Sequence, residues 1–271
     1  MDERKYRLRV LKLAGLSEQD AEAVGEAVMR AEKNTSGEIV VALTPSSHSY
    51  SFWELFFALT CAALAFALFM AFFPELSSFA ALFFWGSLPE RFMPLLAGAL
   101  IFLITALLFC FANIPAIDRL VVPAAYRNTA VFRRAMRFFA ESGIYDTREH
   151  SGILIFISLL EKKVFIIADR GIPSKIEQSV WDNLAAKLSA GFSKRALKSV
   201  QNEGVYASRS ASGDDSPAQT LSAPAHTLSA PASAIVQTIE ECGVLLAKHF
   251  PPSADNPDEL HNGLVVLEGG E

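Results

Sequence analysis

Hydrophobic positions along the chain fall into three patterns: long unbroken runs, helical stripes and short β-rich blocks. The unbroken runs are Leu55–Phe73, 19 residues without a charge, and Phe92–Ile117, a further 26. At about 1.5 Å per helical residue, each can cross a hydrocarbon core of about 30 Å, which predicts a two-helix transmembrane hairpin. A buried helix of a soluble domain is seldom apolar on every side for so long. A cleaved leader is not expected, because about fifty mostly polar residues precede the first run. The linking segment Pro74–Arg91 has one basic residue, and its patch Phe79–Trp85 is expected in the headgroup layer, where Trp and Phe are favoured. Glu54 falls at the membrane edge and implies no ion pathway.

The stripes begin at residues 17–33, where Ala21, Val24, Ala27, Val28 and Ala31 recur at helical spacing. Ser17 is the expected N-cap, with Asp20 completing a box in which Glu or Gln is more usual. Asn34–Gly37 breaks this helix, and Glu38–Leu43 reads as a buried strand. After the second run, residues 128–142 form a helix with Val131, Ala135, Phe138 and Phe139 on one face, ended by Gly143. Gly152–Leu160 and Val164–Ala168 read as adjacent central strands joined by a tight, solvated turn at Glu161-Lys162-Lys163. Residues 176–190 form a helix with Ile176, Val180, Leu184 and Leu188 at steps of four. Residues 201–233, rich in Ser, Ala, Pro and Gly with a tandem TLSAPA, bury too little to offset their ordering entropy and are expected to be a disordered loop. A last helix spans 234–250, stopped by Pro251-Pro252, and a polar tail leads to Leu264–Glu268.

A single strand is not stable alone, so Glu38–Leu43 is expected to join the sheet of the later strands. The hairpin then interrupts one α/β domain. Residues 1–50 supply its first part, 51–117 the hairpin with a short external loop, 118–200 the continuation, 201–233 the loop, and 234–271 the last helix and tail. Arg119, Arg127, Arg133, Arg134 and Arg137 follow the second run, whereas the intervening loop has only Arg91; Arg30 and Lys33 agree with this bias. Both termini are therefore expected in the cytoplasm, in a multi-pass protein of a bacterial inner (plasma) membrane. The lipid bilayer is one expected partner and a membrane or envelope protein another. The arginine cluster reads as anionic-lipid contact, worth about 1 kcal/mol per residue near the surface.

Composition sharpens this picture. With 51% hydrophobic and 20% charged residues and a mean hydropathy of +0.29, the 271-residue chain is more apolar than a soluble domain of its size requires. A net charge of −5 argues against nucleic acid as a partner, since phosphate neutralisation needs a basic face. Cys61 and Cys110 lie in the membrane runs and Cys242 on a helix, so no disulfide framework is expected.

Several separated motifs, in order, carry a resemblance: Ala31–Val41 (AEKNTSGEIVV), Thr147–Glu161 (TREHSGILIFISLLE), Val164–Ile172 (VFIIADRGI) and Lys248–Pro251 (KHFP). Together they resemble the TPM domain family, and most closely its bacterial membrane-embedded branch. Trp181 and the acidic tail ending Asp258-Glu259-Leu260 also match that branch, although His261 stands where the branch usually has Pro, and Asp258 where it has Asn. The resemblance implies a three-layer α/β/α sandwich around a small central sheet. It also implies a family in which phosphatase activity and divalent-metal binding have been attributed to some members, so the fold alone is a weak warrant for chemistry.

The residues themselves offer few catalytic arrangements. The sequence has no HExxH or CxxC pair, no GxSxG elbow and no phosphate-binding loop. Cys242 lies within an amphipathic helix and lacks the cationic loop that would lower a thiol's pKa. The five histidines, His48, His150, His226, His249 and His261, are scattered. Carboxylates at strand ends remain: Glu38, Asp146, Glu161 and Asp169. Ligands of open α/β sheets collect beyond the carboxyl ends of strands, which favours Asp169. Asp146 and Asp169 could share a hard-oxygen site for calcium or magnesium; the plainer alternative is a turn in which Asp169 accepts backbone N–H groups and Gly171 supplies positive φ. The leading expectation is a non-enzymatic, membrane-anchored binding or assembly module, with a metal-assisted phosphatase as the alternative. Transport is disfavoured because two spans without midplane charge provide no pathway.

Overall fold

The computed structural model describes residues 2–72, 93–112, 121–147, 149–172, 176–192, 228–252, 260 and 263–270. The chain divides into two compact units, Met1–His48 with Asn128–Glu271, and Ser49–Arg127. Its elements in order are α1 (Glu3–Ala14), α2 (Glu18–Glu32), β1 (Ile39–Thr44), α3 (Ser51–Ala71), α4 (Met93–Ala112), α5 (Ala124–Glu141), a 3-10 turn (Ile144–Asp146), β2 (Ile153–Ser158), β3 (Lys163–Ala168), α6 (Gln178–Gly191), α7 (Ala230–His249) and β4 (Leu264–Val266).

The first unit is built on a four-stranded sheet in the order β3-β2-β1-β4. β1 runs parallel to β2, from Ile39 opposite Ile153 to Thr44 opposite Ser158, and parallel to β4 on its other side. The strand that precedes the apolar runs therefore sits at the sheet's centre, paired with strands that follow them. Every residue of β1 and β2 is buried, as expected for strands covered on both faces. Alternate residues serve separate cores. Ile39, Val41, Leu43, Ile153, Ile155 and Ile157 pack with α1, α2, α6 and α7. Val40, Ala42, Leu154 and Phe156 pack with Val131, Ala135 and Phe139 of α5. Helices thus cover both faces of the sheet.

Several expectations need correction. Among the described residues β3 is an edge strand rather than a central one, because no strand pairs with its outer side. The tail contributes β4, whose three residues are too few to announce a strand until β1 pairs with them. α1 has a highly charged sequence that shows no clear stripe, yet Val10, Leu11 and Ala14 reach the core. The last helix starts at Ala230, within the segment expected to be disordered, because Ser229 caps it by accepting from the Ala232 N–H at 3.3 Å. Residues 193–227 lie outside the described residues.

In the second unit α3 packs against α4, with Ala58 and Ala62 of α3 buried and Phe52, Phe56, Leu59 and Leu64 exposed. Tyr126 meets Tyr50 and Trp53 edge to face, at centroid distances of 6.4 and 5.6 Å. Among the described residues one helix, α3, is long and apolar enough to cross a membrane. α4 is a 20-residue apolar helix, of which Gly98–Phe109 is the stretch with described side chains. The expected two-helix transmembrane hairpin is not shown: α3 alone meets the length and apolarity of a span, among the described residues. The patch Phe79–Trp85, Asn113–Ile117 of the second run, and Arg119 lie outside the described residues.

The Ser17–Asp20 box forms as expected: Ser17 N–H donates to Asp20 Oδ2 at 2.8 Å and Asp20 N–H to Ser17 Oγ at 3.0 Å. Asp20 Oδ1 also accepts from the Ser229 N–H at 3.2 Å, joining the starts of α2 and α7. Burial opposes ionisation of Asp20, but the hydrogen bonds from Ser17 and Ser229 outweigh it and hold the carboxyl below its usual value. The folded state consequently favours the carboxylate. Its stabilisation is complete above the ordinary Asp range and is lost as pH falls through the lowered folded-state value. Thermal unfolding followed from pH 7 to pH 2 is expected to show Asp20→Ala destabilised by about 1–2 kcal/mol at neutral pH, with the difference from the parent shrinking in acid.

Candidate functional site

Polar groups are buried at both ends of the parallel strands. At the carboxyl end, Glu161 is only 3% exposed, contrary to the solvated turn expected for it. Its Oε1 accepts from the Ser47 N–H at 3.0 Å and its Oε2 from the Ser158 hydroxyl, while Ser47 Oγ and Ser158 Oγ lie 2.8 Å apart. Lys162 takes positive φ, 52°, to make the turn, which points Glu161 back over the strand ends. The segment after β4 closes this cluster, with the Gly270 N–H donating to the Ser46 carbonyl at 2.9 Å. All these groups are satisfied by one another, so the cluster fastens loops.

The amino end is different, because the four motif segments that carried the TPM resemblance meet there. The Phe250 carbonyl accepts from Thr35 Oγ1 at 2.6 Å and from the Ser36 N–H at 3.1 Å. Ser36 Oγ donates to Glu149 at 2.6 Å, and Ser151 Oγ donates to the Ser36 carbonyl at 3.0 Å. Thr147 is buried and accepts from the Ser151 N–H at 3.2 Å; Arg148 lies outside the described residues. Glu38 is buried at the entry to β1.

Asp169 belongs to this amino edge. β3 runs antiparallel to β2, so its carboxyl end lies where β1 and β2 begin, and Asp169 N–H donates to the Gly152 carbonyl at 2.9 Å. Asp169 therefore lies at the edge opposite the carboxyl ends of β1 and β2. Asp169 is 6% exposed. Its Oδ1 accepts from the Arg170 N–H at 2.6 Å, and its Oδ2 has no hydrogen-bond partner but lies 3.3 Å from His150 Nδ1. Arg170 donates to His150 Nε2, which places the imidazole proton on Nδ1, facing Asp169 and the Tyr145 carbonyl. His150 holds a φ of 51°, a conformation that costs a non-glycine residue free energy. Gly171 is not at positive φ as expected; its role is close approach, since a Cβ there would lie 2.5 Å from the His150 carbonyl oxygen.

Asp146 lies on the exposed 3-10 turn, its N–H donating to the Gly143 carbonyl at 2.9 Å. Among the described residues no group of three or more His, Cys, Asp or Glu gathers as metal ligands. His226 and His261 lie outside the described residues. His150 is the residue that sequence reasoning missed. A signal for it exists in the hairpin register: Ile153 opposite Ala168 continues outward to bring residue 150 beside the Asp169–Gly171 turn. Asp169 and Arg170 also line a groove of about 720 Å3 that runs along β3 between α5 and α6.

The TPM domain family model matches residues 117–207. The resemblance is thereby shown over that stretch, which contains β2, β3 and α6. No curated protein matches the chain. A solved structure, the NMR structure of BA42 protein from the psychrophilic bacterium Bizionia argentinensis, is similar at 19% identity over 93% of this chain and 95% of its own, with a TM-score of 0.46.

Burial, reinforced by the neighbouring Glu241 charge, pushes the Cys242 thiol up to about 12. A thiolate at this position is therefore suppressed at neutral pH, which removes Cys242 as a nucleophile. In the native protein at pH 8, a disulfide-exchange reagent is expected to label the parent and a Cys242→Ala variant to the same extent. The difference of one thiol should appear only after denaturation.

Proposed function

We propose that the chain is a membrane-tethered TPM-like module that binds or helps assemble other membrane or envelope proteins from the cytoplasmic face. The observation that carries this reading is the position of the apolar helical unit. Residues 49–127 interrupt the other unit immediately after its central strand β1, so the tether is part of the folded domain's own connectivity rather than an appendage at one end. α3 and α4 would form the two-pass hairpin, with the lipid bilayer around them. Arg133 and Arg134 of α5 would face anionic lipid; Arg137 is engaged with Glu141 at 2.8 Å. Because the strands on either side of the insert share one sheet, both ends of the chain must lie on the same side of the bilayer.

That geometry gives a direct test. Single cysteines placed at Asp2 and at the exposed Glu268 are both expected to resist a membrane-impermeant thiol reagent in intact cells and to react after permeabilisation, while the protein stays in carbonate-washed membranes. Labelling of one end but not the other, or release by carbonate, would refute the tethered reading.

A second reading, a metal-assisted phosphatase using calcium or magnesium, is favoured by one feature. Asp169 Oδ2 is a buried carboxylate oxygen without a hydrogen-bond partner, which suits a hard cation. The guanidinium of Arg170 nearby opposes that fit, and Asp146 would have to supply a second oxygen from its exposed turn. If a cation binds, magnesium or calcium at about a hundred times its dissociation constant should stabilise the fold by about 2.7 kcal/mol. Asp169→Asn should abolish both that shift and any hydrolysis of a generic phosphoester; no shift in the parent removes this reading.

A further inference from the structure

Among the described residues no strand pairs with the outer side of β3. The bond from Asp169 N–H to the Gly152 carbonyl fixes the phase of the hairpin: Lys163, Phe165 and Ile167 turn their backbone groups toward β2, while Val164, Ile166 and Ala168 turn theirs outward. Soluble proteins usually blunt such edges with charges, prolines or bulges. KVFIIA carries a charge only at its first position. The edge opens into the 720 Å3 groove, walled by Phe132 and Met136 of α5 and by Trp181 and Ala185 of α6. Phe132 and Met136 are 46% and 40% exposed. Two buried polar atoms of groove-lining residues have no hydrogen-bond partner, the acceptor Asp169 Oδ2 and the donor Trp181 Nε1.

We propose that this groove is filled by β3 of a second copy of the chain, added antiparallel so that two sheets become one. The two-fold register centred on Ile166 sets that residue opposite itself, Val164 opposite Ala168 and Lys163 opposite Asp169. Every outward backbone group of β3 is then paired, and the exposed Lys163 lies opposite Asp169, whose carboxylate has the His150 imidazole at 3.3 Å and no cation of its own from β3. Sliding the register by two residues loses one of the backbone pairs and the charge match together. The occupant must also be apolar on both faces, because the groove has an apolar wall on either side of the strand. β3 is itself such a segment, with Phe165 and Ile167 in one core and Val164, Ile166 and Ala168 in the other. The interface is isologous, as a closed dimer requires. This inference goes beyond the proposed function and stands or fails independently of the membrane tether.

Light scattering of the full chain in detergent micelles, with the detergent mass subtracted, is expected to give two copies per particle. Val164→Pro removes an N–H that points away from β2, so it should halve the particle mass while preserving the circular dichroism spectrum. Should that variant fail to fold, Met136→Lys, which puts a charge on the exposed wall, is expected to have the same effect on mass. Lys163→Glu should raise the dimer dissociation constant on the order of tenfold. Hydrogen exchange at Val164, Ile166 and Ala168 should slow with increasing protein concentration. The proposal is overturned by a monomer at every concentration, by a dimer that persists in folded Val164→Pro or Met136→Lys, or by concentration-independent protection of those amides, which would mean that something else covers the edge.

Discussion

The pairing of β1 with β2 is the contact on which the rest of this protein depends. It joins Ile39–Thr44 to Ile153–Ser158 across more than a hundred residues of intervening chain, which includes a whole apolar helical unit. Closing a loop of that length costs conformational entropy, though the cost grows only slowly with length. Two fully buried strands supply the compensation, since all of their side chains enter one or other core and their backbone groups pair along their whole length. Both cores contain residues from each side of the insert, so neither can assemble until the chain has returned.

That pairing also organises the polar ends of the sheet. At the carboxyl end Glu161, Ser47 and Ser158 satisfy one another and anchor the loop that leaves β1. At the amino end the hairpin brings Asp169 and Arg170 against His150, with the imidazole held between a carboxylate and a guanidinium and its backbone at positive φ. The first cluster is closed by hydrogen bonds, whereas in the second Asp169 Oδ2 is buried with the His150 imidazole at 3.3 Å and no hydrogen bond, which is why functional interest falls on the amino end. Polar groups buried at a sheet end must be paired or poised for a ligand, because leaving one unsatisfied costs about 1–3 kcal/mol.

Much of the site was legible in the chain, but in pieces. Asp169 stood out as a carboxylate at a strand end, and its turn was recognisable from Asp-Arg-Gly. His150 was one of five scattered histidines until the hairpin register placed it beside that turn. Glu161 read as part of a solvated turn because its neighbours are lysines; burial came from the backbone conformation of Lys162 and from Ser47, which is more than a hundred residues away in sequence. Asp146, paired with Asp169 on sequence grounds, lies on an exposed turn, where local spacing says nothing about distance in space.

The sequence by itself determined the elements whose character is local: the Ser17–Asp20 cap, the stripe of α2, the apolar length of α3, the β-branched runs of β1 to β3 and the stop of α5 at Gly143, which takes a φ of 78°. Those features depend on periodicity, capping and backbone preference within a few residues, so they can be read without a partner. Only the tertiary structure decided that β3 is an edge, that a three-residue tail segment is a strand, that α1 reaches the core and that the TPM motifs meet at one end of the sheet. Each of these depends on which distant segment lies alongside. Hydrogen-bond pairing and burial between remote parts of a chain leave no periodic signature in either part alone.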